Sequence, residues 1–140
     1  MNIHIINGPN LNLLGKREPA IYGDASFEAY FEELKARFPD HGLHYYQSNV
    51  EGELINYMQS IGFEPVGIVL NAGAYSHTSI AIADAVAAIS APVVAIHISN
   101  TIARETYRHT DLIAAKCKGY IGGLGLKGYE LGIRFLIEAP

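Results

Sequence analysis

The sequence IHIINGPNLNLLGKREPAIYG, residues 3–23, sets the organisation of the whole chain. Its first part, Ile3–Ile6, is an apolar run typical of a short buried strand. Its second part, Asn7–Gly23, contains two prolines, three glycines, three asparagines, a Lys-Arg pair and one tyrosine. Loops between a strand and a helix usually span about 2–6 residues, and longer loops tend to be lids or binding loops. The stretch therefore predicts a first strand that ends in a functional loop.

Apolar runs and helical patterns alternate along the rest of the chain. Ser26 is a suitable N-cap for a helix with an apolar stripe, Pro39 and Gly42 end that helix, and Gly62 suits the C-cap of the next one. The predicted elements after Ile3–Ile6 are a helix between Ser26 and Pro39, a strand at Leu43–Gln47, a helix at Glu51–Ile61, a strand at Gly67–Leu70, a helix at Thr78–Ile89, a strand at Val93–Ile98, a short helix at Asp111–Lys116, a strand at Tyr120–Ile121 and a helix at Lys127–Ile137.

This alternation predicts an α/β fold with a doubly wound, five-stranded parallel sheet. For five strands the common order is 2-1-3-4-5, which makes strands 1, 3 and 4 neighbours. Ligands bind beyond the carboxyl ends of such strands, near the point where the strand order reverses. We therefore expect the loops Asn7–Gly23, Asn71–Ser79 and His97–Arg108 to converge on one site.

Composition bounds the class of protein. The 140 residues suit a single domain, 1–140, and no apolar run approaches the ~20 residues of a membrane span. The net charge of −4 and the lack of a basic patch argue against a nucleic-acid partner. The N-terminus lacks the features of a signal peptide, and Cys117 is the only cysteine, so we expect a cytoplasmic protein without disulfides in which Cys117 is a buried apolar residue.

The three loops are rich in hydrogen-bond donors and cations, and Glu18 and Glu105 are their only carboxylates. A predicted helix N-terminus near His77 adds positive partial charge. This lining suits a polar anionic small molecule such as a hydroxylated carboxylate. The candidate residues are Asn10, Arg17 and Tyr22 in the first loop, Asn71, Tyr75, Ser76 and His77 in the second, and His97, Ser99, Asn100, Arg104 and Arg108 in the third.

Tyr22 is a candidate general base because Arg17 lies in the same loop. A tyrosine has an ordinary pKa near 10, and a cation within ~4–6 Å typically favours the charged form by about 1–3 units. The alternative is a loop tyrosine that packs on the surface. His97, at the end of a buried strand, is either a general acid or a core histidine, and His77 has the same two interpretations. No HExxH or paired-cysteine spacing occurs, so no metal site is expected.

Residues 123–128, GLGLKG, match the G-x-G-x-x-G pattern of dinucleotide-binding proteins and lie between a short strand and a helix. Only twelve residues follow, so the acidic residue and next strand of a nucleotide-binding unit have no room. The pattern therefore favours tight turning and close helix–sheet packing. A nucleotide-binding regulatory module is the competing hypothesis.

Three segments together resemble the type II 3-dehydroquinate dehydratases: NGPNLNLLGKREPAIYG at 7–23, NAGAYSHTSIAIADA at 71–85 and HISNTIARETYR at 97–108. The resemblance runs from Asn2 to Phe135. It implies a flavodoxin-like fold and reversible trans-dehydration of 3-dehydroquinate to 3-dehydroshikimate, a shikimate-pathway reaction that needs no metal or cofactor.

The resemblance also implies roles for single residues. Tyr22 removes a proton beside the ketone, and Arg17 lowers the pKa of Tyr22. Asn10 positions a water that holds the enolate, and His97 protonates the departing hydroxyl. The residues implied to bind the carboxylate and ring hydroxyls are Asn71, His77, Ile98, Ser99 and Arg108, with Arg104 near the lid.

Asp84 enters only through the resemblance, which implies that it reaches the site of a neighbouring subunit in a homododecamer, a tetramer of trimers. One position departs from the family pattern. The family usually has a glutamate two residues before the acid histidine, where this chain has Ala95. The expected substitutes for that glutamate are Asn100, Glu105, a water or a neighbouring chain. A third hypothesis follows, a weakened homologue that binds quinate-like acids with little turnover.

Overall fold

Five parallel strands form one sheet in the order β2-β1-β3-β4-β5 in the computed structural model, which describes residues 1–16 and 26–138. The predicted α/β class and strand order are therefore confirmed. The strands are β1 (Asn2–Asn7), β2 (Gly42–Gln47), β3 (Val66–Asn71), β4 (Val93–His97) and β5 (Gly119–Gly122). The α-helices are α1 (Phe27–Arg37), α2 (Glu51–Ile61), α3 (Ile80–Ala88) and α4 (Lys127–Glu138).

Helix starts follow the capping residues of the sequence. The Ser26 hydroxyl accepts a hydrogen bond from the Ala29 backbone N–H, as an N-cap should. The predicted helix at Thr78–Ile89 begins later, at Ile80, because the Ser79 hydroxyl caps it by accepting from the Ile82 N–H at 2.9 Å. The residues before it, Gly73–His77, form a 3₁₀ helix.

Gly62 is the C-cap of α2, as predicted, but its backbone is right-handed, and a Cβ there would lie 2.4 Å from the Ile89 side chain. Close packing, and not a left-handed turn, therefore requires the glycine. The predicted helix at Asp111–Lys116 is only a 3₁₀ turn at Ala114–Lys116.

The central strands β3 and β4 are buried along their whole length, whereas the edge strand β5 is largely exposed. On one face, β1 and β4 residues such as Ile5 and Ile96 pack against Phe27 of α1 and Ile133 of α4. On the other face, Ile6, Ile68 and Leu70 pack against α2 and α3. Since side chains alternate along a strand, Val93, Ala95 and His97 share this second face of β4. The segment after Asp111 covers the same face, because Ile113 belongs to its core.

The first and second loops meet directly above the sheet. The Gly8 N–H donates to the Asn71 carbonyl at 2.7 Å, and a Cβ on Gly8 would lie 2.5 Å from the Ala72 carbonyl oxygen. Only a glycine allows this approach. No helix within residues 1–16 and 26–138 has the length and apolar character needed to cross a bilayer.

Candidate active site

A polar cavity of about 110 Å³ lies beyond the carboxyl ends of β1, β3 and β4. Parallel registration puts Asn7 beside Asn71, so the loops that follow β1 and β3 start next to each other. The third loop follows the adjacent strand β4. The cavity is lined by Pro9, Asn10, Leu11, Asn71, Gly73, Ala74, His77, His97, Ile98, Ser99, Thr101, Arg104 and Arg108.

The front half of the first loop is held by the end of β2. Gln47 donates through its side-chain amide to the Gly8 carbonyl at 3.1 Å and to Asn49 at 3.1 Å. Asn49 in turn accepts a hydrogen bond from the Asn10 backbone N–H at 3.0 Å. Asn10 has a φ of +71°, a left-handed conformation that asparagine tolerates better than most residues. The loop therefore presents Asn10 to the cavity from a fixed backbone.

Asn71 is partly engaged inside the protein. Its amide nitrogen donates to the Tyr129 hydroxyl at 2.8 Å, and its oxygen accepts from the Gly73 N–H at 3.1 Å. The Tyr129 hydroxyl donates onward to Asn7 at 2.8 Å. Tyr129 is fully buried, and this burial raises its pKa. Asn71 therefore reaches the cavity with an amide orientation that this network fixes, and one N–H remains available for a ligand.

His97 has a carboxylate partner that the sequence did not indicate. Its Nε2 lies 2.6 Å from Oδ2 of Asp111. Burial raises the pKa of Asp111, but hydrogen bonds from His97 and from the Ala114 and Ile113 N–H groups outweigh it, and the pKa lies below its ordinary value. Neither Asn100 nor Glu105, the substitutes expected for the absent glutamate at position 95, is that partner. Asn100 instead accepts from the Ile102 N–H.

His77 stands beside His97 on the cavity wall. The two rings are stacked with centroids 6.0 Å apart. His77 donates through Nδ1 to the Thr110 carbonyl at 2.8 Å, which leaves Nε2 as an acceptor in the neutral ring. Helix α3 begins only at Ile80, so His77 lies in the preceding 3₁₀ turn and not at a helix N-terminus.

Two arginines give the third loop its positive charge. Arg108 donates through Nε to Glu105 at 2.7 Å, and Arg104 donates to the Ser99 hydroxyl at 3.3 Å. Glu105 also accepts from the Tyr107 hydroxyl at 2.6 Å. These hydrogen bonds, with that of Tyr107 the largest, lower the pKa of Glu105 to about 2. An ionised Glu105 therefore holds Arg108 in place without lining the cavity.

The GLGLKG segment supports the end of β4. Gly123 and Gly125 have φ values of +84° and +64°, and their N–H groups donate to the carbonyls of His97 and Ile98. A Cβ atom placed on Gly128 would lie 3.5 Å from the Ile96 side chain. The predicted turning and packing role is confirmed. Two of the N–H groups that this turn could offer to a phosphate are therefore already bonded to the carbonyls of His97 and Ile98.

The described candidates divide clearly. The candidates that line the cavity are Asn10, Asn71, His77, His97, Ile98, Ser99, Arg104 and Arg108, whereas Tyr75, Ser76 and Asn100 are not part of its lining. Asp84 is exposed on α3 and does not line this cavity. Arg17 and Tyr22 lie outside the described residues. Across the described ranges, no group of three His, Cys, Asp or Glu residues is arranged to hold a metal ion.

Asp111 is the residue that the sequence interpretation missed. Its only local signal is its position before a short turn, where its Oδ1 accepts from the Ile113 and Ala114 N–H groups. That pattern indicates a cap and says nothing about His97, which lies fourteen residues earlier.

Known proteins match almost the whole chain. A family model described as dehydroquinase class II matches residues 1–137. The 3-dehydroquinate dehydratase of an Exiguobacterium species is 55% identical over 99% of this chain and 95% of that protein. The 3-dehydroquinate dehydratase of Rhizobium johnstonii is 48% identical over 96% of this chain and 94% of that protein.

A crystal structure gives the same answer. The type II dehydroquinase of Butyrivibrio crossotus superimposes with a TM-score of 0.95 at 42% identity, covering 99% of this chain and 98% of that one. The resemblance carried by the three loop segments is thus confirmed, and the chain belongs to the class II dehydroquinase family.

Proposed function

We propose that this chain is a type II 3-dehydroquinate dehydratase, a hydro-lyase that converts 3-dehydroquinate to 3-dehydroshikimate in the shikimate pathway of aromatic amino acid biosynthesis. Membership of the class II dehydroquinase family supports the reaction. The observation that carries the proposal is one small cavity that holds His97 together with Asn10, Asn71 and Arg108. The cavity offers donors and cations to a polyhydroxylated carboxylate.

Substrate binding follows from these donors. Ile98 and Ser99 line the cavity beyond β4, and in this proposal their backbone N–H groups bind the substrate carboxylate. The side chains of Asn71, His77 and Arg108 bind the carboxylate and ring hydroxyls. Arg108 suits this role because Glu105 orients its guanidinium from outside the cavity.

The chemistry needs a base and an acid. Tyr22, as phenolate beside Arg17, removes a proton from the carbon next to the ketone. The C–H electron pair forms the C=C bond of an enolate, and the π electrons of the C=O bond move to the oxygen. Asn10 positions the water that stabilises this oxygen. The enolate then reforms the ketone, the new C=C bond expels the hydroxyl, and His97 protonates that hydroxyl so that it leaves as water.

The finer proposal concerns assembly. Asp84 is exposed and lies away from the cavity of its own chain, which supports a role in a neighbouring copy's site within a dodecamer, a tetramer of trimers. Light scattering of the purified protein measures this mass directly. The proposed compartment is the cytoplasm, supported by Cys117 being a free thiol and the only cysteine.

The deciding experiment is a steady-state assay that follows enone absorbance from 3-dehydroquinate. The wild-type protein should turn over, and Tyr22→Phe should lose roughly 10²–10⁴-fold in kcat because the base is gone. Tyr46→Phe, on β2 away from the cavity, is the matched control and should retain full activity. Failure of the wild-type protein to form enone contradicts the proposed function, while substrate-induced thermal stabilisation without turnover identifies a weakened homologue.

A further inference from the structure

The contact between His97 and Asp111 joins the end of β4 to the segment that precedes β5. His97 lines the 110 Å³ cavity and also a second cavity of about 480 Å³ on the β5 side. Asp111 lines the second cavity and is not in the lining of the first. Asp111 is therefore linked to the first cavity by its contact with the imidazole of His97, which lines both cavities.

Asp111 is held in a fixed orientation by hydrogen bonds to both of its oxygens. Oδ1 accepts from the Ala114 N–H at 2.8 Å and from the Ile113 N–H at 3.1 Å, so the following turn fixes the carboxylate plane. Oδ2 is then left for His97 at 2.6 Å. Only about a fifth of the Asp111 side chain is exposed, at 21%, which limits screening of its charge by water.

The contact also distinguishes the two ring nitrogens of His97. An ionised carboxylate accepts and cannot donate, so Nε2 must carry its proton toward Asp111. Within the described part of the chain, Nδ1 has no hydrogen-bond partner. The nitrogen that remains for a ligand is therefore Nδ1.

We propose that Asp111 is a positioning residue that fixes the His97 ring, holds the proton on Nε2 and stabilises the imidazolium from which Nδ1–H is given to the departing hydroxyl. This inference rests on the proposed dehydratase function. The proton balance is closed: the Nδ1–H bond breaks, the hydroxyl leaves as water, and the neutral imidazole keeps its Nε2–H against Asp111.

Other titratable and charged groups also face His97, and they set the background against which Asp111 acts. His77 from the second loop, and Arg104 and Arg108 from the third loop, line the first cavity beside it. His109 and Tyr120 line the second cavity with Asp111. Among the described residues that line these two cavities, Asp111 alone carries a carboxylate, so it is the group that can pair with an imidazolium.

The test is Asp111→Asn, which keeps an oxygen for the Ile113 and Ala114 N–H groups but places an amide N–H where Oδ2 accepted. The amide donates to Nε2 and favours the opposite tautomer, a neutral ring that is a poor acid. We expect kcat on 3-dehydroquinate to fall by roughly 10²-fold, at the lower end of what a general acid contributes. The alkaline limb of kcat/KM should move to lower pH by about 1 unit or more, as loss of an adjacent opposite charge predicts.

Two controls separate positioning from folding. Glu53→Gln makes the same carboxylate-to-amide change in α2, where Glu53 accepts from the Ser48 hydroxyl at 2.5 Å, and should leave the pH profile unchanged. Nitrogen-15 NMR of the histidine ring reports the protonated nitrogen without any turnover. Wild type should show Nε2–H, and Asp111→Asn should show loss of that proton at the same pH.

The outcomes are distinct. Unchanged kcat, pH profile and histidine spectrum in a folded Asp111→Asn variant overturn the inference and leave Asp111 as a cap of the following turn. If the wild type forms no enone, the proposed function fails, and the NMR comparison alone decides whether Asp111 sets the tautomer. If Asp111→Asn unfolds, Asp111→Glu provides the test, since a retained carboxylate should restore the wild-type alkaline limb.

Discussion

Two polar clusters at the carboxyl end of the sheet contrast in what they leave unpaired. Asn7, Tyr129 and Asn71 form a neutral, buried chain in which the Tyr129 hydroxyl both accepts and donates. His97 and Asp111 form an imidazole–carboxylate pair between two cavities. The hydrogen bonds of the first cluster join α4 to β1 and β3, and within the described residues the buried Asn7 amide nitrogen is left without a partner. The second leaves one ring nitrogen facing no described partner.

The two clusters show that side chains at the same edge of a sheet can stabilise the fold or take part in catalysis. Buried neutral groups stabilise a fold when their partners are satisfied, and they cost free energy when one partner is lost. Charged groups at a cavity contribute little to stability when they are partly exposed, yet they set protonation states. Substitutions in the His97–Asp111 cluster should therefore lower activity, and substitutions in the Asn7–Tyr129–Asn71 cluster should lower the free energy of unfolding.

The largest effect is expected from His97→Gln. Loss of the acid should lower kcat on 3-dehydroquinate by roughly 10²–10⁴-fold, with little change in the melting temperature. His44→Gln, on β2 and exposed, is the matched control and should keep near wild-type kcat. Melting of His97→Gln far below wild type, with activity lost in proportion to the unfolded fraction, would assign His97 to the structural cluster instead.

Tyr129→Phe should affect stability more than catalysis. It removes the hydroxyl that Asn7 and Asn71 share, leaving two buried amide groups without that partner, so the free energy of unfolding should fall by about 1–3 kcal/mol. Urea denaturation measures this loss. Tyr46→Phe should change the free energy of unfolding by less than about 0.5 kcal/mol, because the Tyr46 hydroxyl makes no hydrogen bond to the residues that the structure describes. Equal losses in the two variants would contradict the role given to the buried network.

The smallest effect is expected from Glu105→Gln. Glu105 is ionised in the fold down to pH values near its pKa of about 2, and it orients Arg108 from outside the cavity. Its depressed pKa means that any stabilisation it gives is present above its ordinary pKa and is lost as the pH falls through the folded-state pKa. Because the pair is partly exposed, KM should rise by only about two- to fivefold with kcat unchanged.

A matched control sharpens that last prediction. Glu32→Gln breaks an exposed ion pair with Lys35 on α1, far from the cavity, and should leave KM unchanged. The same rise in KM with Glu32→Gln would show that the effect is general and not directed at Arg108. A fall in kcat with Glu105→Gln would bring Glu105 into the catalytic set.

Local pattern predicted the main elements because they follow local rules. Helix α2 runs from Glu51 to Ile61 as predicted from its apolar spacing, and Ser26 caps α1. The departures occur where side chains compete with the backbone. Ser79 delays the start of α3, and Asp111 shortens the next predicted helix to a turn.

The sequence by itself determined the strand order, the loops that converge and the family, because alternating apolar runs and three long motifs are local and specific. It also indicated where catalysis was expected. Only the tertiary structure decided which distant side chains form hydrogen bonds with each other. Tyr129 reaches Asn7 across 122 positions, and Asp111 reaches His97 across fourteen. Such pairs depend on which face of a strand a residue occupies and on which segment covers that face. The spacing of residues along the sequence predicts neither.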